Sequence, residues 1–238
     1  MHLAPTPRLI VFDLDGTLID SRRDLCNSVN ATLRHLGKPE LPEAVISGYI
    51  GDGVSMLVRR AIGDPEGDVH DEEFVTEAIT FFIAFYHLHK LDYTFLYPGV
   101  LQSLEAIQTA CPHLLMAVLT NKPVRPARGI CEGLGLAGYF LHIYGGDSFP
   151  LKKPDPLGLR TLMSEVGATP AETAMIGDSL VDVQTARNAG VWSIGCTFGF
   201  GNDTLTAAAP ENQPDILVDS PRDWASALTP AALSPPRK

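Results

Sequence analysis

Apolar and polar positions along the chain fall into two regimes. Leu9-Ile10-Val11-Phe12 is a short apolar run that ends abruptly in Asp13 and Asp15. That is the pattern of a strand buried on both faces. From about Ser21 to about Tyr93 the chain reads as helix or loop. Leu25, Val29, Leu33 and Leu36 recur at helical spacing and Gly37 stops them, while Ser21 with Asp24 fits a capping box at the start. Val54, Leu57, Val58, Ala61 and Ile62 form a second helical pattern, opened by the Gly51-Asp52-Gly53 turn. Phe74, Val75, Ala78, Ile79, Phe82, Ile83 and Tyr86 form a third. Beyond Tyr93, strands and helices alternate. The strands are predicted at Leu114–Leu119, Leu141–Tyr144, Ala174–Ile176, Val191–Cys196 and Ile216–Val218. The helices between them are predicted at Pro123–Leu134, Pro156–Val166 and Leu180–Ala189.

This alternation predicts an α/β fold, a doubly wound, Rossmann-like parallel sheet with helices on both faces. The helical stretch reads as an inserted all-helical cap domain, residues 21–93, leaving residues 1–20 and 94–238 as the α/β core. The tail from Thr229, with Pro230, Pro235 and Pro236, reads as frayed. Ligands of open α/β sheets sit beyond the carboxyl ends of the strands, so Asp13 and Asp15 are expected at the lip of a crevice. Gly16 permits a tight turn in which backbone N–H groups approach an anion. Two carboxylates this close repel unless a cation or a shared proton relieves them, which suits metal-assisted phosphoryl chemistry.

Composition narrows the picture. The 238 residues are 45% hydrophobic and 19% charged, with a formal net charge of −10. No Lys/Arg-rich run is present, which argues against nucleic-acid or anionic-membrane binding. No apolar stretch reaches the roughly 20 residues of a membrane-spanning helix. Met1-His2-Leu3-Ala4-Pro5 lacks the charged-then-apolar order of a signal peptide. Cys26, Cys111, Cys131 and Cys196 are scattered, as expected of reduced, mostly buried thiols in a cytoplasmic protein. His87 and His89, two apart, do not share a helix face and make a poor metal pair. His142 reads as a packed strand residue, and Phe74, Phe81, Phe82, Phe85 and Tyr86 as core of the helical insert.

Three further strand ends carry polar residues. Leu119 leads to Thr120-Asn121-Lys122, Ile176 to Gly177-Asp178-Ser179 with Asp182 a turn later, and Gly145-Gly146-Asp147-Ser148 to Lys152-Lys153-Pro154. Singly these are ordinary turns and helix caps. In this order, on successive strands after an Asp-x-Asp, they resemble the haloacid dehalogenase-like superfamily of phosphohydrolases. The matching blocks are Asp13-Leu14-Asp15-Gly16-Thr17, Thr120-Asn121, Lys153-Pro154, and Gly177-Asp178-Ser179 with Asp182. The insert lies where that superfamily carries a C1-type cap. Tyr49–Gly53, Tyr97–Val100, Thr120–Pro123 and Gly177–Gly190 are most similar to its phosphoglycolate phosphatase-like branch.

The resemblance implies roles. Asp13 would be the nucleophile that forms an aspartyl-phosphate, and Asp15 the general acid and then base. Mg²⁺ would be bound by the Asp13 side chain, the Asp15 backbone carbonyl and Asp178, an all-oxygen set suited to a hard cation. Thr120 and Lys153 would hold the transferring phosphoryl group, with backbone N–H groups near Leu14, Gly16 and Asn121. Lys153, rather than Lys152, occupies the motif position before Pro154. Ser179 and Asp182 would act on metal-bound water or Lys153. Gly51, Asp52 and Gly53 read both as a helix start and as a cap loop that touches substrate, and at least one of the adjacent Arg59 and Arg60 must point away from any given ligand.

The implied activity is Mg²⁺-dependent hydrolysis of a small phosphorylated metabolite, 2-phosphoglycolate foremost, by a cytoplasmic monomer or homodimer. Sugar phosphates, pyrophosphate and a β-phosphoglucomutase-like phosphomutase reaction are the alternatives, and a non-catalytic phosphate-binding protein the remote one. A dehalogenase has no need of Asp15. A phosphonatase-like reaction wants a cap lysine and a small residue in place of Asp15, and the cap offers only Lys38 and Lys90.

Overall fold

The computed structural model describes residues 7–229 and 232–233. The chain divides into two compact units, one running up to Ile19 and from Leu96 onward, the other Asp20–Phe95. In chain order the elements are β1 (Leu9–Phe12), β2 (Ile19–Asp20), α1 (Arg22–His35), α2 (Glu43–Ser47), α3 (Val54–Ile62), α4 (Glu72–His89), β3 (Phe95–Leu96) and α5 (Val100–Ala110). They continue with β4 (Leu115–Leu119), α6 (Val124–Gly133), β5 (His142–Tyr144), α7 (Leu157–Val166), β6 (Thr173–Gly177) and α8 (Leu180–Ala189). The last are β7 (Trp192–Cys196), α9 (Asn202–Thr206), β8 (Ile216–Val218) and α10 (Trp224–Ala227). β2 and β3 pair as a two-stranded sheet where the chain passes between units. Among the described residues no helix is long and apolar enough to cross a membrane.

The larger unit is built on a six-stranded sheet in the order β5-β4-β1-β6-β7-β8, with every pairing parallel. The apolar run at β1 explains its central place: all four residues are fully buried. Alternate side chains of a strand face opposite ways. Leu9 and Val11 join Ala117, Leu119 and Met175 in a core with Leu159, Leu162 and Met163 of α7 and Ala186 and Ala189 of α8. Phe12 instead packs against Trp224 of α10, ring centroids 5.1 Å apart, and against Phe140 at 6.0 Å. Register matters more than shape here. Phe12 lies beside Val118 of β4 and Ile176 of β6, so three strands end at one level. The chain steps outward from β1 through β4 to β5, then jumps back to β6 on the other side of β1. That reversal is the topological switch point at which open α/β sheets bind ligands.

The smaller unit, Asp20–Phe95, is helical apart from its terminal strand residues. Val75, Ala78, Phe82 and Tyr86 are the buried stripe of α4, whereas Ile83 and Leu88 are exposed. Gly37, at φ +66°, follows α1 as expected of a helix stop. The predicted capping box does not form. Ser21 stands at the N-cap of α1 without a side-chain cap bond. Asp24 turns instead to the far end of the unit: its carboxylate accepts from Tyr93 N at 3.0 Å, Thr94 N at 2.8 Å and Thr94 Oγ1 at 2.7 Å. A buried carboxylate prefers several fixed donors over one frayed helix end. Elsewhere, α5 and the β2–β3 pair lie in stretches to which the periodicity assigned no element. The frayed tail expected from Thr229 falls largely outside the described residues, although Leu233 is buried. Cys26, Cys131 and Cys196 are buried free thiols, and Cys111 is exposed.

Because Asp24 ties the first turn of the helical unit to its last residues, Asp24→Ala is expected to destabilise the protein by about 3 kcal/mol. Asp24→Asn, which keeps one acceptor oxygen, should cost about half as much. Urea denaturation followed by circular dichroism measures both, and an unchanged midpoint for Asp24→Ala would refute the tie.

Candidate active site

The site residues stand where strands of the larger unit end. After β1 the chain turns sharply: Leu18 N donates to Leu14 O at 2.9 Å and Gly16 N to Ile19 O at 2.9 Å. Gly16 has φ +87°, and a Cβ there would lie 2.2 Å from Asp178 Oδ2. Only glycine serves both the turn and that close approach. The turn carries Asp13 and Asp15. β4 ends at Thr120, Asn121 and Lys122, β6 at Asp178, and the chain beyond β5 brings Lys153 inward. Thr120, Asn121, Lys122, Lys153, Asp178 and Asp182 are all buried, whereas Lys152 is exposed.

Lys153 Nζ is the hub. It donates to Asp13 Oδ1 at 2.7 Å and to Asp182 Oδ1 at 2.6 Å. Its carbonyl accepts from Asn121 Nδ2 at 3.1 Å. The other oxygen of Asp182 accepts from Ser179 Oγ at 2.6 Å and Ser179 N at 3.1 Å, a capping box that opens α8. Ser179 and Asp182 therefore fix the lysine that holds Asp13. Asp178 is held from other directions. Its Oδ1 accepts from Thr17 Oγ1 at 3.2 Å, and its Oδ2 from Phe200 N at 2.7 Å and Gly201 N at 3.1 Å.

The electrostatics follow from burial. Desolvation pushes the Asp13 carboxyl up to about 6, against the pull of Lys153 and with help from Asp182 and Asp15. Burial, then the charges of Asp182 and Asp13, pushes Asp178 up to about 8. Burial works against the Lys153 ammonium, but the charges of Asp13 and Asp182 overcome it and hold it above its ordinary value. Lys153 thus pairs with two of the three buried carboxyls, and the remaining negative charge of the cluster is what a cation would relieve. Oxygens of Asp13, Asp178 and Asp182 lie within 4.8 Å of one another, a donor set that fits a hard divalent ion. Both oxygens of Asp182 accept from Lys153 and Ser179, and both oxygens of Asp178 accept from Thr17, Phe200 and Gly201, so each carboxyl is fixed in place at the cluster.

Asp15 pairs with a different lysine. Its two oxygens accept from Lys122 Nζ at 2.9 and 3.0 Å. Lys122 and Thr17 lie within the motif blocks of the sequence but carry no individual role there, and the loop from Phe198 to Gly201 has none of the motifs. A Cβ on Gly199 would lie 2.2 Å from Asp178 Cβ, and one on Gly201 2.4 Å from Asp178 O. Two glycines just beyond a strand were the available clue to that close approach.

In the helical unit the Gly51-Asp52-Gly53 turn has φ values of +125° at Gly51 and +85° at Gly53, and it leads into α3. Arg60 donates to Asp52 Oδ2 at 2.6 Å and to Tyr49 O at 3.1 Å, and Arg59 pairs with Asp64 and Glu72. Both arginines have structural partners within the unit. His89 pairs with Asp92, and His142 stacks on Tyr144 beside Glu165.

Comparison with known proteins agrees with this geometry. Residues 10–196 match the family model described as haloacid dehalogenase-like hydrolase. A phosphoglycolate phosphatase of Pseudomonas putida is 37% identical over 232 residues, spanning 96% of this chain and 81% of that protein. One from Chromobacterium violaceum is 39% identical over 213 residues, spanning 90% and 92%. The crystal structure of a predicted phosphoglycolate phosphatase from Haemophilus somnus superposes with a TM-score of 0.85 at 29% identity, covering 94% of this chain and 98% of that one. With the family model spanning the strand ends from Asp13 to Asp182, and relatives of this similarity over nearly the whole length, the chain belongs to the haloacid dehalogenase-like hydrolases.

Proposed function

We propose that this chain is a Mg²⁺-dependent phosphatase that hydrolyses a small phosphomonoester, 2-phosphoglycolate, through an aspartyl-phosphate on Asp13. Residues 1–20 and 94–238 are the catalytic core in this reading, and residues 21–93 the cap. The observation that carries it is a buried carboxylate, Asp13, held by a buried ammonium at 2.7 Å within a cluster of further carboxyls. That arrangement restrains a nucleophile while leaving charge for a metal to balance. The names of the curated relatives support phosphoglycolate as the substrate.

In the first step Asp13 attacks phosphorus and the bond to the leaving oxygen breaks. Asp15 gives its proton to that oxygen and becomes a carboxylate. In the second step Asp15 takes a proton from water, the water oxygen attacks phosphorus, and phosphate leaves with Asp13 regenerated. Thr120, Lys153 and the N–H groups of Leu14, Gly16 and Asn121 hold the phosphoryl oxygens as charge shifts among them. Asp182 and Ser179 keep Lys153 in place for both steps. Asp13 and Asp178, with the Asp15 carbonyl, would hold Mg²⁺, which when bound offsets repulsion between the anionic nucleophile and the phosphate dianion.

Phosphate release from a panel of esters tests the reading. 2-Phosphoglycolate is expected to give the highest kcat/KM, above sugar phosphates and pyrophosphate. Asp13→Asn is expected to lower it roughly a thousandfold or more. A faster sugar phosphate would overturn the substrate, and an isomerised ester without phosphate release would overturn hydrolysis itself.

The metal has a signature independent of turnover. Carboxyls raised to about 6 and about 8 keep their protons to higher pH than ordinary carboxyls do, and those protons must leave before a cation binds. Mg²⁺ affinity should therefore climb as pH rises through that window. At a hundredfold excess over Kd, Mg²⁺ should stabilise the protein by about 2.7 kcal/mol. The resulting rise in Tm is expected at pH 8.5, to shrink markedly at pH 5.5, and to be lost in Asp178→Asn. A rise in Tm that is equal at both pH values and survives in the variant would count against this metal site.

A further inference from the structure

We infer that Lys122 is a positioning residue for Asp15: it aims the carboxyl that protonates the leaving oxygen and steadies the carboxylate formed as that proton departs. The inference rests on the proton-transfer role given to Asp15 above.

Three observations carry it. The first is the contact itself. Lys122 Nζ lies 2.9 and 3.0 Å from the two oxygens of Asp15, and the lysine side chain is only 4% exposed. A single ammonium bridging both oxygens sets the rotation of the carboxyl group as well as its place. The second is the division of labour between lysines. Lys153 is occupied by Asp13 and Asp182, so the neighbouring carboxylates of the Asp-x-Asp pair have separate ammonium partners. A buried ion pair adds little net stability, because desolvation of both ions consumes most of the attraction. β1 and β4 are already joined by their ladder, so a structural link at this point is redundant.

The third observation is how firmly the lysine's backbone is braced. Lys122 N donates to Thr120 Oγ1 at 3.2 Å, and Lys122 O accepts from Gly146 N at 2.8 Å. Val124 N donates to Asp147 Oδ1 at 2.7 Å. A Cβ on Gly145 would sit 2.6 Å from Lys122 O, and one on Gly146 2.4 Å from Asn121 O. The Gly145–Ser148 loop is therefore glycine-rich so that it can lie directly under the segment that presents Lys122.

In the transition state the O–H bond of Asp15 breaks, the new O–H bond forms on the leaving oxygen, and the electron pair stays on Asp15. Lys122 keeps its own protons throughout. It contributes a donor aimed in advance at the charge that develops.

The role predicts a dependence on the leaving group that a purely structural lysine lacks. An alkyl phosphate such as 2-phosphoglycolate needs its leaving oxygen protonated, whereas 2,4-dinitrophenyl phosphate does not. kcat/KM reports only the steps through formation of the phosphoenzyme. For Lys122→Gln it is expected to fall about a hundredfold on the alkyl ester and severalfold or less on the dinitrophenyl ester. Lys122→Arg should recover part of the loss. In an Asp15→Asn background Lys122→Gln should add nothing. The ratio between the two esters does not depend on the fraction of folded enzyme, and Lys122→Met supplies it should Lys122→Gln fold poorly. Equal losses on both esters, or a further alkyl-ester loss in the Asp15→Asn background, would overturn the inference while leaving the proton-transfer reading intact. If Asp15→Asn itself loses both esters equally, the proton-transfer reading fails and the role of Lys122 falls with it.

Discussion

Burying carboxylates at the ends of parallel strands is the constraint on which the larger unit is organised. Each ion taken from water costs several kcal/mol unless partners replace its hydration. Asp13, Asp178 and Asp182 are all nearly inaccessible, and each is met by fixed donors. Those donors come from separate parts of the sequence: Lys153 after β5, Ser179 at the start of α8, Thr17 in the first turn, and Phe200 and Gly201 beyond β7. The topology follows from this requirement. Only at the switch point, with β1 between β4 and β6, can so many chain segments converge on one level.

The same constraint explains residues that carry no chemistry. Gly16, Gly199 and Gly201 admit Asp178 where any side chain would collide with it, and Gly177 does so for Asp182, whose Cγ would lie 2.3 Å from a Cβ there. The glycines make room, and the backbone N–H groups exposed by that closeness become the donors. Close packing and charge compensation are achieved by the same residues, so substituting one of them disturbs both.

What was legible in the sequence divides along physical lines. The strands of the large sheet were readable because burial on both faces demands continuous apolar runs, and β1 was matched from Leu9 to Phe12. Asp13 was legible as the polar end of an apolar run, whereas Asp178 and Lys153, singly ordinary cap and loop residues, stood out only through the order of blocks that resembles the hydrolase superfamily. Helix α5 and the two-residue strands β2 and β3 were not assigned, the strands being too short for any periodicity to register. Asp24 was misread because local spacing suggested a cap, whereas its partners lie at the opposite end of the helical unit's sequence. The pairing of Lys122 and the part played by the Phe198–Gly201 loop were not legible for the same reason: what defines them is a partner remote in sequence. Local pattern finds the residues that must be polar or apolar, but it does not find the pairings among them.

The Asp-x-Asp spacing illustrates the point. From the sequence the two carboxylates form a repelling pair in need of one shared remedy. In the folded chain each is paired with a different ammonium, Asp13 with Lys153 and Asp15 with Lys122. Asp13 is drawn toward the carboxylate cluster by Lys153, which also belongs to Asp182. Asp15 is paired instead with Lys122, in the segment that follows β4. Two neighbouring groups of one chemical type thereby enter different electrostatic surroundings, which is the general requirement for giving them different tasks. The Gly145–Ser148 loop bears on this arrangement through the backbone. By lying against Asn121, Lys122 and Val124 it fixes the backbone from which the second ammonium is presented, and so supports the pairing that distinguishes Asp15 from Asp13.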